Sequence, residues 1–267
     1  MKTARLTAIA ATAVIALCAP APALAQDDGD DRPRRTRVAL GPQLLPNYPG
    51  ADDASLRPLI DFSRVRGDDE FPFEAPDESI GFALLQGERF SAGPSLGFEG
   101  KRSSSDVGGV LPEVGFSVEV GGFVQYQLSR SLRLRAEGRQ ALSGHDGFIA
   151  NLGADYVWRD GDRQLFSVGP RVTVTDGTYQ DAYFGIRPVD AAASGLPAYD
   201  ADGGVQAMGV TAGYLRQFTA RWGVYGYAKY DRLVGDAADS PVVERFGSEN
   251  QLSGGVALTY TFGRDVR

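Results

Sequence analysis

Cysteine and histidine are almost missing from this chain: Cys18 and His145 are the only ones in 267 residues. A disulfide framework and a Cys/His zinc centre therefore both lack ligands. No apolar run reaches the roughly 18 residues of a membrane-spanning helix, which excludes a helical membrane protein. Lysine is scarce too, 3 against 24 arginines, and acids outnumber bases to give a net charge of −7. That balance speaks against nucleic acid as a partner. No G-x-G-x-x-G opens a helix, and nothing in the chain calls for a cofactor. What is plentiful is glycine, at 34 residues, and aromatics, with 14 Phe and 11 Tyr.

The first 25 residues read as an export signal. Lys2 and Arg5 give a positive start, Leu6 to Leu17 is a largely apolar stretch of 12, and Ala23-Leu24-Ala25 precedes the expected cleavage. Leu17 is bulkier than a lipoprotein site prefers before Cys18, so lipidation is not expected. Residues 26–35 are polar and acidic and read as a disordered periplasmic leader. The acids Asp27, Asp28, Asp30 and Asp31 do not have EF-hand spacing and read as a solvated tail. Asp200-Ala201-Asp202-Gly203 reads as a turn in the same way.

From residue 36 onward the chain alternates. Leu132, Leu134 and Ala136 oppose Arg133, Arg135, Glu137 and Arg139. Phe148, Ala150, Leu152, Ala154, Tyr156 and Trp158 form one row opposite Asn151, Gly153 and Asp155. Trp222, Val224 and Tyr230 oppose Lys229 and Asp231; Val256, Leu258, Tyr260 and Phe262 oppose small and polar residues. Period two with one apolar face marks half-buried strands. Strands near ten residues are long for a soluble sandwich but suit a tilted bilayer crossing. Aromatics at the ends of the apolar rows suit the girdles of an outer-membrane barrel, with lipid outside and a polar lumen within. A soluble lipocalin-like barrel is the rival, and the strand count exceeds its eight. The residues expected to line the lumen are Arg133, Arg135, Glu137, Arg139, Asp155, Arg171, Lys229 and Asp231.

Parity constrains the count, because both chain ends of a bacterial barrel lie on the periplasmic side with the short turns. Strands are expected at 36–45, 56–66, 79–86, 90–100, 115–126, 131–141, 147–158, 164–175, 204–217, 221–232 and 251–262. That leaves an odd number before the turn at Leu128–Arg130. A weak strand at Glu70–Ala75, between turns at Gly67–Asp69 and Gly87–Arg89, repairs it and gives a transmembrane antiparallel up-and-down β-barrel of 12 strands. Ten is the alternative. Pro72 makes the added strand the weakest of the set.

The last strand, through Ser253, Gly255, Leu258, Tyr260 and Phe262, resembles the signal read by the barrel-assembly machinery. Physically it is an edge strand offering a regular apolar row for pairing. Gly263 to Arg267 follow it as a short polar tail, whereas such signals commonly end the chain.

Several blocks resemble the MipA/OmpV family of outer-membrane proteins. They are Leu40-Gly41 with Pro46 to Asp52, Tyr183-Phe184-Gly185-Ile186, Ser194 to Tyr199, and Arg232-Leu233-Val234 leading into Gly235, Asp236, Asp239, Ser240 and Pro241. The resemblance spans about Val38 to Phe262. It implies an outer-membrane barrel and, for the best-known branch, a scaffold joining a lytic transglycosylase to a bifunctional penicillin-binding protein in murein growth. It carries no catalytic motif and implies no enzyme.

Residue chemistry gives little else. His145, in Gly144-His145-Asp146-Gly147, reads as a solvated loop residue, since no serine is visibly placed to join it. Asp236 and Asp239 read as parts of a loop that bonds back on itself. Three functions stay open: a scaffold for cell-wall machinery, a small-solute channel, and an adhesion or sensing protein acting through loops 101–114, 176–203 and 233–250.

Overall fold

The computed structural model describes residues 32–263. The expected signal sequence, most of the leader and tail residues 264–267 lie outside the described residues. One antiparallel sheet dominates, with twelve strands: β1 (Arg34–Pro46), β2 (Ala54–Arg66), β3 (Ile80–Gly81), β4 (Leu85–Gln86), β5 (Phe90–Glu99), β6 (Ser117–Gln127), β7 (Leu132–Ala141), β8 (Phe148–Asp160), β9 (Gln164–Thr175), β10 (Gly204–Gln217), β11 (Trp222–Leu233) and β12 (Asn250–Phe262). β1 starts at Arg34, two residues inside the span expected to be leader. The order is β2-β1-β12-β11-β10-β9-β8-β7-β6-β5-β3, with β4 also on β5. The first and last long strands pair directly, Leu40 opposite Leu258.

The alternation sorts the two faces as expected. Leu132 and Leu134 are more than two-fifths exposed while Arg133 between them is 2% exposed. Trp158, Trp222, Val256, Leu258 and Phe262 stand outward in the same way. An exposed apolar belt around buried charge is the reverse of a soluble barrel and fits a lipid surround. At one end Trp222, Tyr260 and Phe262 pack edge to face, with successive ring centroids 4.6 Å apart. The tight turns after β6, β8 and β10 share that end with the start of β1 and the end of β12. This is the periplasmic end. The connections at the other end are long: 47–53, 100–116, 142–147, 176–203 and 234–249.

One expectation fails. Glu70–Ala75 is not a strand, and the wall segment expected at 79–86 survives only as the short β3 and β4. Residues 67–79 instead enter the lumen as an extended strap. Its start stays at the periplasmic end, where the Gly67 amide donates to Pro33 O. Its far end reaches charged side chains of β7, β9 and β11. The chain then returns to the wall, Ile80 opposite Leu96 and Leu85 opposite Ala92. Parity is satisfied because the strap makes the ascent that a wall strand would have made. Pro72 and Pro76 lack amide donors, which disfavours a ladder there. Among the described residues no ladder joins β2 to β3, so the wall has a seam beside the strap.

Candidate functional site: the filled lumen and its cap

Lumen residues of β7 to β11 reach the strap, and ion pairs tie the two together. Asp77 accepts from Arg171 Nε at 2.9 Å and lies 3.3 Å from Lys229 Nζ. Thr211 Oγ1 also donates to it, at 3.0 Å. Glu78 pairs with Arg133 and, at 3.5 Å, with Arg135. Asp155 bridges Arg133 and Arg171, each at 2.7 Å. Arg135 reaches Glu137 at 2.9 Å, and Arg139 reaches Glu137 at 2.6 Å and Glu119 at 2.8 Å. Asp231 pairs with Lys229 at 3.0 Å. Below the tip, Phe71 lies under Arg37 at 4.4 Å and Phe73 under Arg133 at 4.4 Å. Such contacts hold a polar strap without a ladder, since each cation meets a carboxylate or a ring face.

Arg133, Arg135, Glu137, Arg139, Asp155, Arg171, Lys229 and Asp231 all take part in this network. The void at the level of Asp77, Glu78 and Arg171 is about 30 Å³, about one water's share of liquid volume.

The outer connections fold over the mouth. They carry three helices, α1 (Gly177–Phe184), α2 (Pro188–Ser194) and α3 (Pro241–Phe246), which the sequence did not announce. Asp176 caps α1 by accepting from Tyr179 N at 2.9 Å, and Ser240 caps α3 by accepting from Val242 N at 3.2 Å. Tyr48, Val107, Leu111, Tyr179, Tyr183, Phe184, Ile186, Leu233, Val242 and Val243 build one apolar core among them. Gly50, at φ +91°, lets the 47–53 connection pass within van der Waals reach of Phe184 and Val243.

Asp236 and Ser240 serve this cap. Asp236 Oδ2 accepts from Asp202 N at 2.8 Å, and its carbonyl accepts from Tyr199 Oη at 2.9 Å. Ser240 Oγ donates to Phe184 O at 2.6 Å. Pro241 begins α3 at a position where a missing amide costs nothing. Asp239 joins the turn through its amide, which donates to Gly235 O. Arg102 is buried beneath, donating to Tyr183 O at 2.6 Å and Pro112 O at 3.1 Å. Burial lowers its pKa, and burial pushes Tyr48 up to about 12 and Tyr183 higher still.

His145 overturns its reading as a solvated residue. It is 2% exposed and sits where cap meets lumen. Its Nδ1 accepts from Gly147 N at 3.1 Å, so Nε2 carries the proton and donates to Glu119 at 3.0 Å. The ring packs edge-on to Tyr179, with centroids 4.5 Å apart. Ser117 Oγ takes the backbone amide of His145, not a ring nitrogen, so the pair is not arranged as nucleophile and base. Asp146, next to it, holds φ +57°, which turns the loop inward.

Larger spaces remain among the described residues. A chamber of about 300 Å³ lies under the cap, a bowl of about 420 Å³ opens at the periplasmic end beside Phe71 and Phe218, and a groove of about 710 Å³ crosses the cap. In β12, Leu258, Tyr260 and Phe262 share the lipid face, whereas Ser253 and Gly255 face inward.

Residues 38–262 match the model of the family described as MltA-interacting protein MipA. The chain belongs to that family. With the family and the inverted barrel together, it is an outer-membrane β-barrel protein. No curated protein sequence matches it. Among solved structures it is similar to the COG4313 outer-membrane channel of Pseudomonas putida F1, at 9% identity and TM-score 0.38, covering 86% of this chain and 96% of that one. It is also similar to the DcaP channel of Acinetobacter baumannii, at 6% identity and TM-score 0.39, covering 85% and 96%. OprG of Pseudomonas aeruginosa aligns at 9% identity and TM-score 0.27, covering 86% and 97%. The four MipA-like blocks quoted from the sequence converge in the cap: Tyr48, Tyr183, Phe184, Tyr199 and Leu233 all touch its core.

Proposed function

We propose that this MipA-family barrel is a non-conducting scaffold that presents its periplasmic turns to a murein-processing partner. The observation that carries the reading is the strap: Asp77 and Glu78 cross-link it to four cations in mid-lumen. A channel has to keep a water-filled path, and here paired charges take that space. The family's description names MltA as a partner, and the resemblance implies a lytic transglycosylase together with a bifunctional penicillin-binding protein. Both belong at the periplasmic end, where murein lies. The bowl beside Phe218, which is 66% exposed at the turn after β10, offers an apolar contact there.

Cross-linked envelopes should yield a murein hydrolase and a synthase with the tagged barrel. The pure protein should be silent in a planar bilayer. Porin-like conductance together with an empty pull-down would replace the scaffold by the small-solute channel.

A further inference from the structure

Most charge in this lumen is closed into pairs, and two of the exceptions face one void under the cap. Arg133, Arg135, Arg139, Arg171 and Lys229 each reach a carboxylate within 3.5 Å. Arg57 and Glu99 reach none of opposite charge among the described residues. Arg57 Nη2 donates only to Asn47 O at 3.2 Å, and Glu99 Oε1 accepts only from the Gly100 amide at 2.9 Å. Both line the 300 Å³ chamber under the cap. So does Gln206, 4% exposed, whose amide oxygen is buried without a donor. A buried acceptor without a donor is costly, so this amide oxygen beside two ions without counter-ions calls for a guest.

The two charges stand on either side of the seam. Arg57 belongs to β2 and Glu99 to β5, and the wall strand between them begins only at Ile80, opposite Leu96. Above that point β5 has no ladder on this side, and Asn47 and Arg57 approach Gly100 across the break. A guest that offers an anion to Arg57 and a cation to Glu99 completes both groups at once.

We infer that the chamber between Arg57, Glu99 and Gln206 binds a small zwitterion of amino-acid to dipeptide size. Its volume lies at the lower end of small-molecule pockets, which excludes oligosaccharides and lipids. The carboxylate of the guest pairs with the guanidinium of Arg57. Its ammonium donates to Glu99 and to the orphaned oxygen of Gln206. This site is independent of the scaffold reading, since it lies at the opposite end from the periplasmic turns.

Saturation-transfer NMR on the refolded full-length barrel tests it with glycylglycine, acetate and methylamine as separate probes. Glycylglycine should receive saturation at millimolar concentration, and the two half-charged probes should receive at least tenfold less. Arg57→Met and Glu99→Gln should each weaken glycylglycine binding tenfold or more, with the heat-modifiable folded band retained. Equal transfer to all three probes, or none to glycylglycine, overturns the site in the wild type alone, whatever the variants do. Undiminished binding by both folded variants overturns it as well.

Discussion

The carboxylate of Asp77 lies 2.9 Å from Nε of Arg171, although 94 residues separate them in the chain. That contact fixes the height of the strap's tip inside the barrel. Arg171 is in turn held by Asp155 on the neighbouring strand, so the strap is keyed to the register of β8 and β9. The strap is thus held in the lumen by charge matching, through a few carboxylates.

Asp77→Asn should lower the temperature at which the folded band converts on a gel. Stripping a buried charge of its partner costs about 3–5 kcal/mol, and the loss here should be smaller, because Arg171 keeps Asp155 and Lys229 keeps Asp231. The double variant Asp77→Ala, Glu78→Ala should free the strap and produce conductance steps in a planar bilayer, where the wild type gives none. A double variant as stable and as silent as wild type would mean that the ion pairs do not hold the strap.

Ala154 stands on the outward row at the middle of β8, between Leu152 and Tyr156. Ala154→Arg should cost about 2–4 kcal/mol at the bilayer midplane. Asn151→Ser, on the inward row, should lose the contacts to Thr173 and Arg139 and cost about 1 kcal/mol, less than Ala154→Arg. Comparable costs at the two positions in a urea unfolding series in lipid would contradict the assigned faces.

Ser240→Ala removes the cap of α3 and leaves the carbonyl of Phe184 without its donor. The expected loss is about 1–3 kcal/mol, confined to the cap. Limited proteolysis should then cut within 176–203 while the heat-modifiable barrel persists. Cleavage no faster than in wild type would show that Ser240 does not hold the cap.

Alkali should open the cap through Tyr48. Its pKa is pushed up to about 12 by burial, so the folded state resists the ionisation that the unfolded chain undergoes near 10. The stabilisation is complete below the unfolded value and is lost as pH rises from about 10 to 12. Tyr48→Phe should flatten the dependence of cap proteolysis on pH over that window. An unchanged slope in Tyr48→Phe would assign it to another group.

The final strand should govern assembly. Phe262→Ala and Tyr260→Asp each remove apolar area from the lipid-facing row of β12 and should lower outer-membrane levels. Deleting residues 263–267 should leave them nearly unchanged. The opposite pattern, with the deletion abolishing the folded band, would move the signal into the tail.

The wall was legible before any coordinates, as the Leu132–Gln140 row shows: alternate residues there differ in polarity, and the backbone of a strand turns that into two faces. The strap did not follow, because Glu70–Ala75 has neither a helical nor a strand period; only parity pointed to an extra ascent at that place. His145 was misplaced for a related reason. Its neighbours Gly144, Asp146 and Gly147 mark a loop, and loop residues carry no local signal of burial. Helices α1, α2 and α3 are only 8, 7 and 6 residues long, too short to show an amphipathic period.

Sequence alone therefore determined the barrel, its outward apolar belt and its family, since these depend on alternation and motifs that are local in the chain. Only the tertiary structure decided that the barrel is filled. Asp77 meets Arg171, and His145 meets Glu119, because curl and register bring distant strands together. An ion pair forms at about 3 Å, and no pattern along the sequence encodes which inward charge will stand opposite which.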